Sequence, residues 1–457
     1  MKIIIVGCGK VGATLAEGLY NEGNDITIID KKYGIVEELS NKYDVMGIAG
    51  NGACIATQTD AGIDKADLLI AVTGSDELNL LCCIVAKRVG NCKTIARVRN
   101  PEYISEADFV KESLGLAMTI NPELATAAEI SKVLRYPSAM KVDTFAKGRV
   151  EMLKLKITEN CPLAGMRVSD MEHSLKVDIL VCAVHRDGEI FIPRGDFELQ
   201  ADDIISFMAT KGKASEFFKK IGFESHKVKD TMIVGGGDVA YYLAKDLINS
   251  GINVKLIEKD EKRCDFLSES ISKAQIINAD GSDQVVLIEE GIEKAESFVT
   301  LTNLDEENIV LSMYARSTGA NNKKIVTKIN RDNYDGLIKE LNIDTVIYPK
   351  QVTADKIMRF VRAMRNSKGT NVETMYSLFN GKAEALEFVV KEKSSFTNIP
   401  LMNMSIDENT LVACIVRKRE VIIPRGFHML QPGDSVVVVT KKLGISDIEE
   451  VIHEKAK

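Results

Sequence analysis

The feature that most restricts how this chain can fold is that it repeats itself. Ile4–Gly12 reads IIVGCGKVG, and Met232–Ala240 reads MIVGGGDVA, 228 positions further on. The strand-like end TIID at Asp30 is matched by KLIE at Glu258. Ala71–Asn79 (AVTGSDELN) returns as Thr300–Asn308 (TLTNLDEEN), and Thr94–Asn100 (TIARVRN) as Ile325–Arg331 (IVTKINR). Further on, the runs ending IFIPRG at Gly195 and VIIPRG at Gly426 correspond, as do the turns Leu199–Asp203 (LQADD) and Leu430–Asp434 (LQPGD). The offset drifts only from 228 to 231, and the order of segments is the same in both halves. Any fold proposed for one half must therefore serve the other.

Each half contains two kinds of sequence. Residues 1–140 alternate short apolar runs with helical patterns. Lys2–Val6, Asp25–Ile29, Val45–Ile48, Asp67–Val72 and Lys93–Val98 read as strands. Val11–Asn21 places Val11, Leu15 and Leu19 on one helical face, and Gly23 stops it. Near-continuous apolar strands between helices indicate a parallel sheet covered on both faces. Pro122 opens a helix running to about Arg135, with Leu124, Ala128, Ile130 and Leu134 as expected apolar contacts. Residues 141–224 are rich in valine, isoleucine and short turns, and read as a small β-rich module. The expected plan is α/β. It has two tandem Rossmann-like doubly wound parallel sheets (1–140 and 230–368), each followed by a small β-rich α+β lobe (141–224 and 369–457). The polar stretches Ser225–Asp230 and Arg365–Asn371 are the expected linkers.

Composition narrows the function. A net charge of -7 argues against a chain built to coat nucleic acid, which needs a basic surface. No run approaches the roughly 18–20 apolar residues of a spanning helix, and the first residues begin a strand at once rather than a signal peptide. A cytoplasmic location is expected. The nine cysteines form no Cys-x-x-Cys pair and sit mostly in apolar runs, the pattern of small buried hydrophobes in a reducing compartment. Cys8, inside a glycine loop, is the candidate for exposure and a redox role.

Gly7-Cys8-Gly9-Lys10-Val11-Gly12 is a G-x-G-x-x-G between a strand and a helix, with Asp30 ending the next strand. In that setting Gly7 allows the tight turn, Gly9 lets the backbone approach a pyrophosphate, and Gly12 lets helix and strand pack closely. The helix start offers free N–H groups and partial positive charge to phosphates. Asp30 can accept hydrogen bonds from an adenosine ribose and disfavours a 2′-phosphate, so NAD(H) is expected here over NADP(H). The second loop, Gly235-Gly236-Gly237-Asp238-Val239-Ala240, keeps the first two glycines, and Glu258 takes the acidic position. Asp238 stands where the first loop has Lys10, and a carboxylate there repels phosphate. The second site is expected to bind more weakly or to prefer fewer phosphates. The segment Thr73-Gly74-Ser75-Asp76 and Arg97 should border the first ligand, with Thr302-Asn303 and Lys328 as their copies. Arg97 reads equally as a surface ion pair. Asn51-Gly52 and Asp280-Gly281 follow the third strands and read more readily as turn residues than as adenine contacts.

Binding a dinucleotide does not make a dehydrogenase, which needs a substrate pocket and an acid–base residue poised near neutrality. The five histidines are His173, His185, His226, His428 and His453, and none lies near a glycine loop. No G-x-x-x-x-G-K-[ST] loop and no zinc-ligand spacing appears. A ligand-sensing protein fits better than an enzyme; an NAD-dependent oxidoreductase of unknown substrate is the alternative.

Two Rossmann lobes with G-x-G-x-x-G…Asp and T-x-x-D-E-x-N-like segments, each followed by a β-rich lobe with Ile-Pro-Arg-Gly and a Gly-Asp-type turn, resemble the regulator-of-potassium-conductance family. The tandem form without an attached membrane part resembles the cytosolic regulatory subunits of Trk/Ktr-type potassium uptake systems. The resemblance covers essentially the whole chain. It implies an assembly that gates a membrane potassium channel or transporter subunit from the inner face of the membrane. It further implies a homo-oligomer, a dimer or tetramer forming a ring, whose shape NAD(H) or adenine nucleotides bias. By motif match, Gly7, Cys8, Gly9, Lys10, Val11, Gly12, Asp30, Thr73, Gly74 and Arg97 would hold NAD(H). Gly235, Gly236, Gly237, Asp238, Val239, Glu258, Thr302, Asn303 and Lys328 would hold NAD(H) or ATP, ADP or AMP. The helices opening at Pro122 and Pro349 would be levers, or dimer-packing elements.

Overall fold

The computed structural model describes the whole chain except residues 101–102, 104–106, 137–140, 147–148, 211–212, 223–227, 319–322, 332–333, 342, 344, 368–371, 380–381, 392–393, 395, 419, 446 and 455–457. Half of the first expected linker and the end of the second, 225–227 and 368–371, therefore lie outside the described residues. The chain divides into two compact units. One joins Met1–Leu134 to Val228–Met358, and the other joins Arg135–Lys227 to Arg359–Lys457.

The first unit holds two parallel sheets. Strands β1 (Lys2–Val6), β2 (Asp25–Asp30), β3 (Met46–Ala49), β4 (Leu68–Ala71), β5 (Lys93–Arg97) and β6 (Met118–Ile120) lie in the order β3-β2-β1-β4-β5-β6. Further on come the lobe strands β7 (Lys141–Phe145), β8 (Val150–Lys156), β9 (Ile179–Arg186), β10 (Glu189–Phe191) and β11 (Ile204–Thr210), which belong to the second unit. The second sheet of the first unit uses β12 (Asp230–Val234), β13 (Asn253–Glu258), β14 (Gln275–Asn278), β15 (Ser297–Thr300), β16 (Lys324–Lys328) and β17 (Thr345–Ile347) in the same order, β14-β13-β12-β15-β16-β17. Both are Rossmann sheets. The order reverses beside β1 and beside β12, and a crevice opens there at the carboxyl ends of the strands. β1 is apolar along its length because both faces are covered, and Ile3 to Val6 are all buried. β6 and β17 escape sequence reading: three residues carry no period.

The helix Pro122–Arg135 starts as its sequence dictates. The side chain of Asn121 accepts from the Leu124 amide at 2.6 Å, and proline takes the first turn. Its buried face differs from the expected one. Leu124 and Ala128 are exposed, whereas Ala127, Ile130 and Leu134 pack into the core of the second Rossmann lobe with Val239, Leu243 and Leu247. The helix Pro349–Ser367 reaches toward the first lobe: a methyl group added at Gly18 would strike Met358 Sδ. Each lobe thus receives a helix from its copy.

In the second unit β10-β9-β11-β8-β7 form an antiparallel sheet. Its copy is built from β18 (Val372–Leu378), β19 (Ala383–Val389), β21 (Thr410–Arg417), β22 (Glu420–Ile422) and β23 (Ser435–Thr440). The short pair β20 (Met404–Ile406) and β24 (Ile452–Glu454) stands beside it. The two lobes share a core in which Phe145, Met152, Cys182 and Met208 meet Tyr376, Cys414 and Val437. The repeated Asp-ended turns have a structural meaning. Arg186 binds the fully buried Asp203 through two hydrogen bonds of 2.7 Å, and Arg417 binds Asp434 through two of 2.9 Å. Bidentate pairing of this kind satisfies both groups where water cannot.

Candidate functional site

The first glycine loop has the geometry its residues require. Gly7 sits at φ +94°, and a methyl group there would lie 2.8 Å from the Thr73 nitrogen. Gly12 packs so closely that a methyl group would stand 1.9 Å from the Gly7 oxygen. Gly9, by contrast, faces open space. Turn, packing and open approach are thus divided among the three glycines as the fingerprint demands. Asp30 accepts from the Cys8 amide at 2.7 Å and the Lys32 amide at 2.9 Å, which fixes its carboxylate beside the loop. Gly52 is the one residue that fits over Val6, since a methyl group would meet Val6 Cγ1 at 2.2 Å; Gly281 repeats this over Val234 at 2.3 Å.

A cavity of about 480 Å³ opens over this loop. Its lining includes Gly7, Gly9, Asp30, Ile35, Thr73, Gly74 and Arg97. Lys10, Val11 and Gly12 do not line it; they begin the helix Lys10–Asn21, with Lys10 exposed and Gly12 buried against the sheet. Cys8 does not face it either. Its thiol is buried and directed at the Ile29 carbonyl, and burial, helped by the Asp30 charge, raises its pKa to about 12. The expected exposure of Cys8 is not found, because the loop turns its amide, not its sulfur, toward the acid. Cys54, at the start of a short helix, is the exposed cysteine.

Thr73 and its neighbours form a brace. The Asn79 side chain accepts from the Thr73 amide at 2.8 Å and its hydroxyl at 2.7 Å, and donates to the Arg97 carbonyl at 2.9 Å. Asp76 accepts from the amides of Arg99 and Asn100 at 2.7 and 2.8 Å. The copy is faithful. Asn308 holds Thr302 and the Lys328 carbonyl, and Asp305 holds the amides of Asn330 and Arg331. Asn79 was missed as a site residue; its repetition as Asn308 was the signal that could have found it. This brace aims Arg97 at the cavity. Arg97 Nε is buried without a hydrogen-bond partner among the described residues, and burial lowers its pKa below the usual arginine value. A half-buried cation with an unused donor fits an anionic ligand. The open Gly9, the placed Asp30 and this arginine together fit a dinucleotide.

The second loop repeats the turn, with Gly235 at φ +98° and Gly237 in open space. The Gly236 amide donates to Glu258 at 2.5 Å, as Cys8 does to Asp30. The cavity here, about 350 Å³, is lined by Gly237, Asp238, Val239, Asn303 and Lys328 together with Pro122, Glu123 and Thr126 of the first lobe. Glu258 does not line it. Lys328 is buried, donates to the Leu301 carbonyl at 3.0 Å, and has its pKa lowered by burial. Glu123 Oε1 lies 3.9 Å from Arg99, its Oε2 is buried without a hydrogen-bond partner among the described residues, and burial raises its pKa. Asp238 is paired with Arg263 at 2.8 Å, a partner that sequence reading did not foresee.

Two Rossmann lobes with glycine-loop crevices, each reached by a helix from the other, define a tandem dinucleotide-fold protein. The TrkA-N domain matches residues 3–122 and 231–349, and the TrkA-C domain matches 152–222. The chain is 35% identical to the Trk system potassium uptake protein TrkA of Haemophilus influenzae, covering all of this chain and 99% of that one. It is 33% identical to the TrkA homolog 1 of Methanosarcina mazei, covering 98% and 99%. It therefore belongs to the TrkA family of Trk system potassium uptake proteins. In fold it is similar to the GsuK RCK domain (TM-score 0.63, 16% identity, 96% of this chain and 92% of that chain). It is similarly close to the GsuK channel bound to NAD (TM-score 0.63, 18% identity, 96% and 76%).

Proposed function

We propose that this chain is the nucleotide-binding regulatory subunit of a potassium uptake system. In this reading it gates a membrane channel or transporter subunit and catalyses no reaction. The observation that carries this is the second cavity: the loop that would hold a ligand in one lobe is lined by Pro122, Glu123 and Thr126 of the other. A ligand placed there touches both lobes, so it can favour one arrangement of them over another. Ligands shift a conformational equilibrium only through such differential contact. NAD(H) is the proposed ligand of the first cavity. NAD(H), ATP, ADP or AMP is proposed for the second. When bound, a dinucleotide supplies charge and shape here, not redox chemistry. The chain's own residues divide the work: Asp30 orients the ribose, the loop amides and Arg97 meet the phosphates, and Asn79 holds Arg97 in place.

No histidine lines either cavity among the described residues, which supports sensing over hydride transfer. Leu81, Ile84 and Val89 on the helix Asp76–Val89 are exposed, and Val310 and Met313 repeat the pattern on Asp305–Ser317. Exposed apolar stripes at the same place in both copies suit contact between chains, and support assembly into a dimer or tetramer ring. No described helix is long and apolar enough to cross a membrane, so the proposed place is the inner membrane face, held by the transporter subunit.

The test is potassium flux into proteoliposomes carrying the membrane subunit, with purified chain and NADH or NAD added. The reading expects flux to change with nucleotide and the change to be lost in Asp30→Ala. Flux indifferent to the chain would overturn it.

A further inference from the structure

The second glycine loop carries its own anion. Asp238 opens the helix Asp238–Asn249, and its carboxylate lies 2.8 Å from a terminal guanidinium nitrogen of Arg263. Arg263 Nε also donates to the Gly236 carbonyl at 2.6 Å, and the guanidinium covers the Phe266 ring at 4.8 Å. The arginine is thus held at the loop itself, beside the point where a phosphate meets the backbone amides.

Arg263 stands where the first lobe has Ile35, and Ile35 lines the first cavity. Asp238 stands where the first lobe has Lys10. The two exchanges are complementary. The first loop carries one cation at the helix start. The second carries a cation on the neighbouring helix and a carboxylate that neutralises it. The pair is not sealed in, because the Asp238 side chain is 54% exposed and that of Arg263 27%. Exposed pairs are weakly held, whereas a phosphate offers a guanidinium more charge and a matching two-point geometry.

We infer that Asp238 is a resident stand-in for ligand phosphate on Arg263, and that an anionic ligand enters the second loop by taking Arg263 from Asp238. The inference rests on the proposal that the second lobe binds nucleotides. Arg263 is then the phosphate-selecting residue of this lobe, and Asp238 sets its threshold. A ligand without phosphate gains nothing from Arg263, so the pair discriminates adenosine from its phosphates. The lobe without the pair, the first, has no such threshold.

The experiment is calorimetric titration of the full chain with ADP and with adenosine, in an Asp30→Ala background that weakens the first site. Asp238→Ala should tighten ADP by about fivefold, the upper end for releasing one exposed ion pair, and leave adenosine unchanged. Asp238→Asn, which keeps the side-chain volume and removes the charge, should do the same. Arg263→Ala should weaken ADP and spare adenosine, and Asp238→Ala with Arg263→Ala should bind ADP less tightly than Asp238→Ala alone. Equal effects of Arg263→Ala on ADP and adenosine would overturn the inference, as would ADP weakened by Asp238→Ala. Where adenosine is too weak to titrate, the ADP arms decide. ADP bound by the unmodified chain only at the first site, with no second equivalent in any variant, would instead sink the nucleotide reading of the second lobe, and the exchange with it.

Discussion

Asn79 donates to the Arg97 carbonyl at 2.9 Å, and its copy Asn308 donates to the Lys328 carbonyl at 2.9 Å. The same side chain in each lobe ties the end of the fourth strand to the end of the fifth, and so places the cation that the fifth strand sends toward its cavity. Asn79 is fully buried. Asn79→Ala would strand the Thr73 amide as well as the Arg97 carbonyl, at about 1–3 kcal/mol. The expected result is a lower denaturant midpoint and weaker nucleotide binding at the first site. Asn308→Ala should lower stability similarly while sparing the first site. Calorimetric titration beside urea melts checks both.

The glycines of the first loop should separate folding from binding. At Gly12 an added methyl group meets the Gly7 oxygen at 1.9 Å, so Gly12→Ala should destabilise by about 1–3 kcal/mol or more through overpacking. At Gly9 nothing is near and the backbone is extended at φ -66°. Gly9→Ala should leave the melting temperature almost unchanged and still weaken the ligand, whose phosphates approach there. Paired melting curves with and without NADH measure the contrast.

Asp203 is fully buried against Arg186. Removing Asp203 strands the Gln200 amide and the inner face of the Arg186 guanidinium, so Asp203→Ala should cost about 1–3 kcal/mol. Asp434→Ala should do the same in the copied lobe. Urea unfolding of each single variant is the measurement.

Burial raises the Glu123 pKa in the folded chain. The protonated form is thus favoured by folding: that contribution is present at pH below the unfolded carboxyl value and is lost as pH rises through the raised folded value. Glu123→Gln, which cannot ionise, should therefore melt higher than the unmodified chain at neutral pH. The gap should shrink as pH falls below the carboxyl range. A gap independent of pH would mean Glu123 is not the titrating group.

Much of this was legible because the chain states it twice. The strands β1, β2 and β5, the helix beginning at Pro122 and the turn and packing roles of Gly7 and Gly12 follow from local pattern, and the structure has them. The pattern could not show which face of Pro122–Arg135 is buried. Ala127, Ile130 and Leu134 pack against Val239 and Leu243, about a hundred residues away, and no periodicity within one helix encodes a partner that distant. Arg263 escaped for a related reason. Nothing in EKRCDF marks that arginine as the partner of Asp238; only the return of β13 beside β12 brings them together.

The central claim is that the first cavity holds a dinucleotide against Asp30. It is tested most directly by thermal unfolding of the purified chain with NADH, NAD, ATP, ADP and AMP, in parallel with Asp30→Ala. A ligand at 100 times its Kd adds about 2.7 kcal/mol to the folded state. The account predicts a rise in Tm of a few degrees with NADH or NAD, abolished by Asp30→Ala. No shift with any nucleotide, or a shift that Asp30→Ala leaves intact, would contradict it.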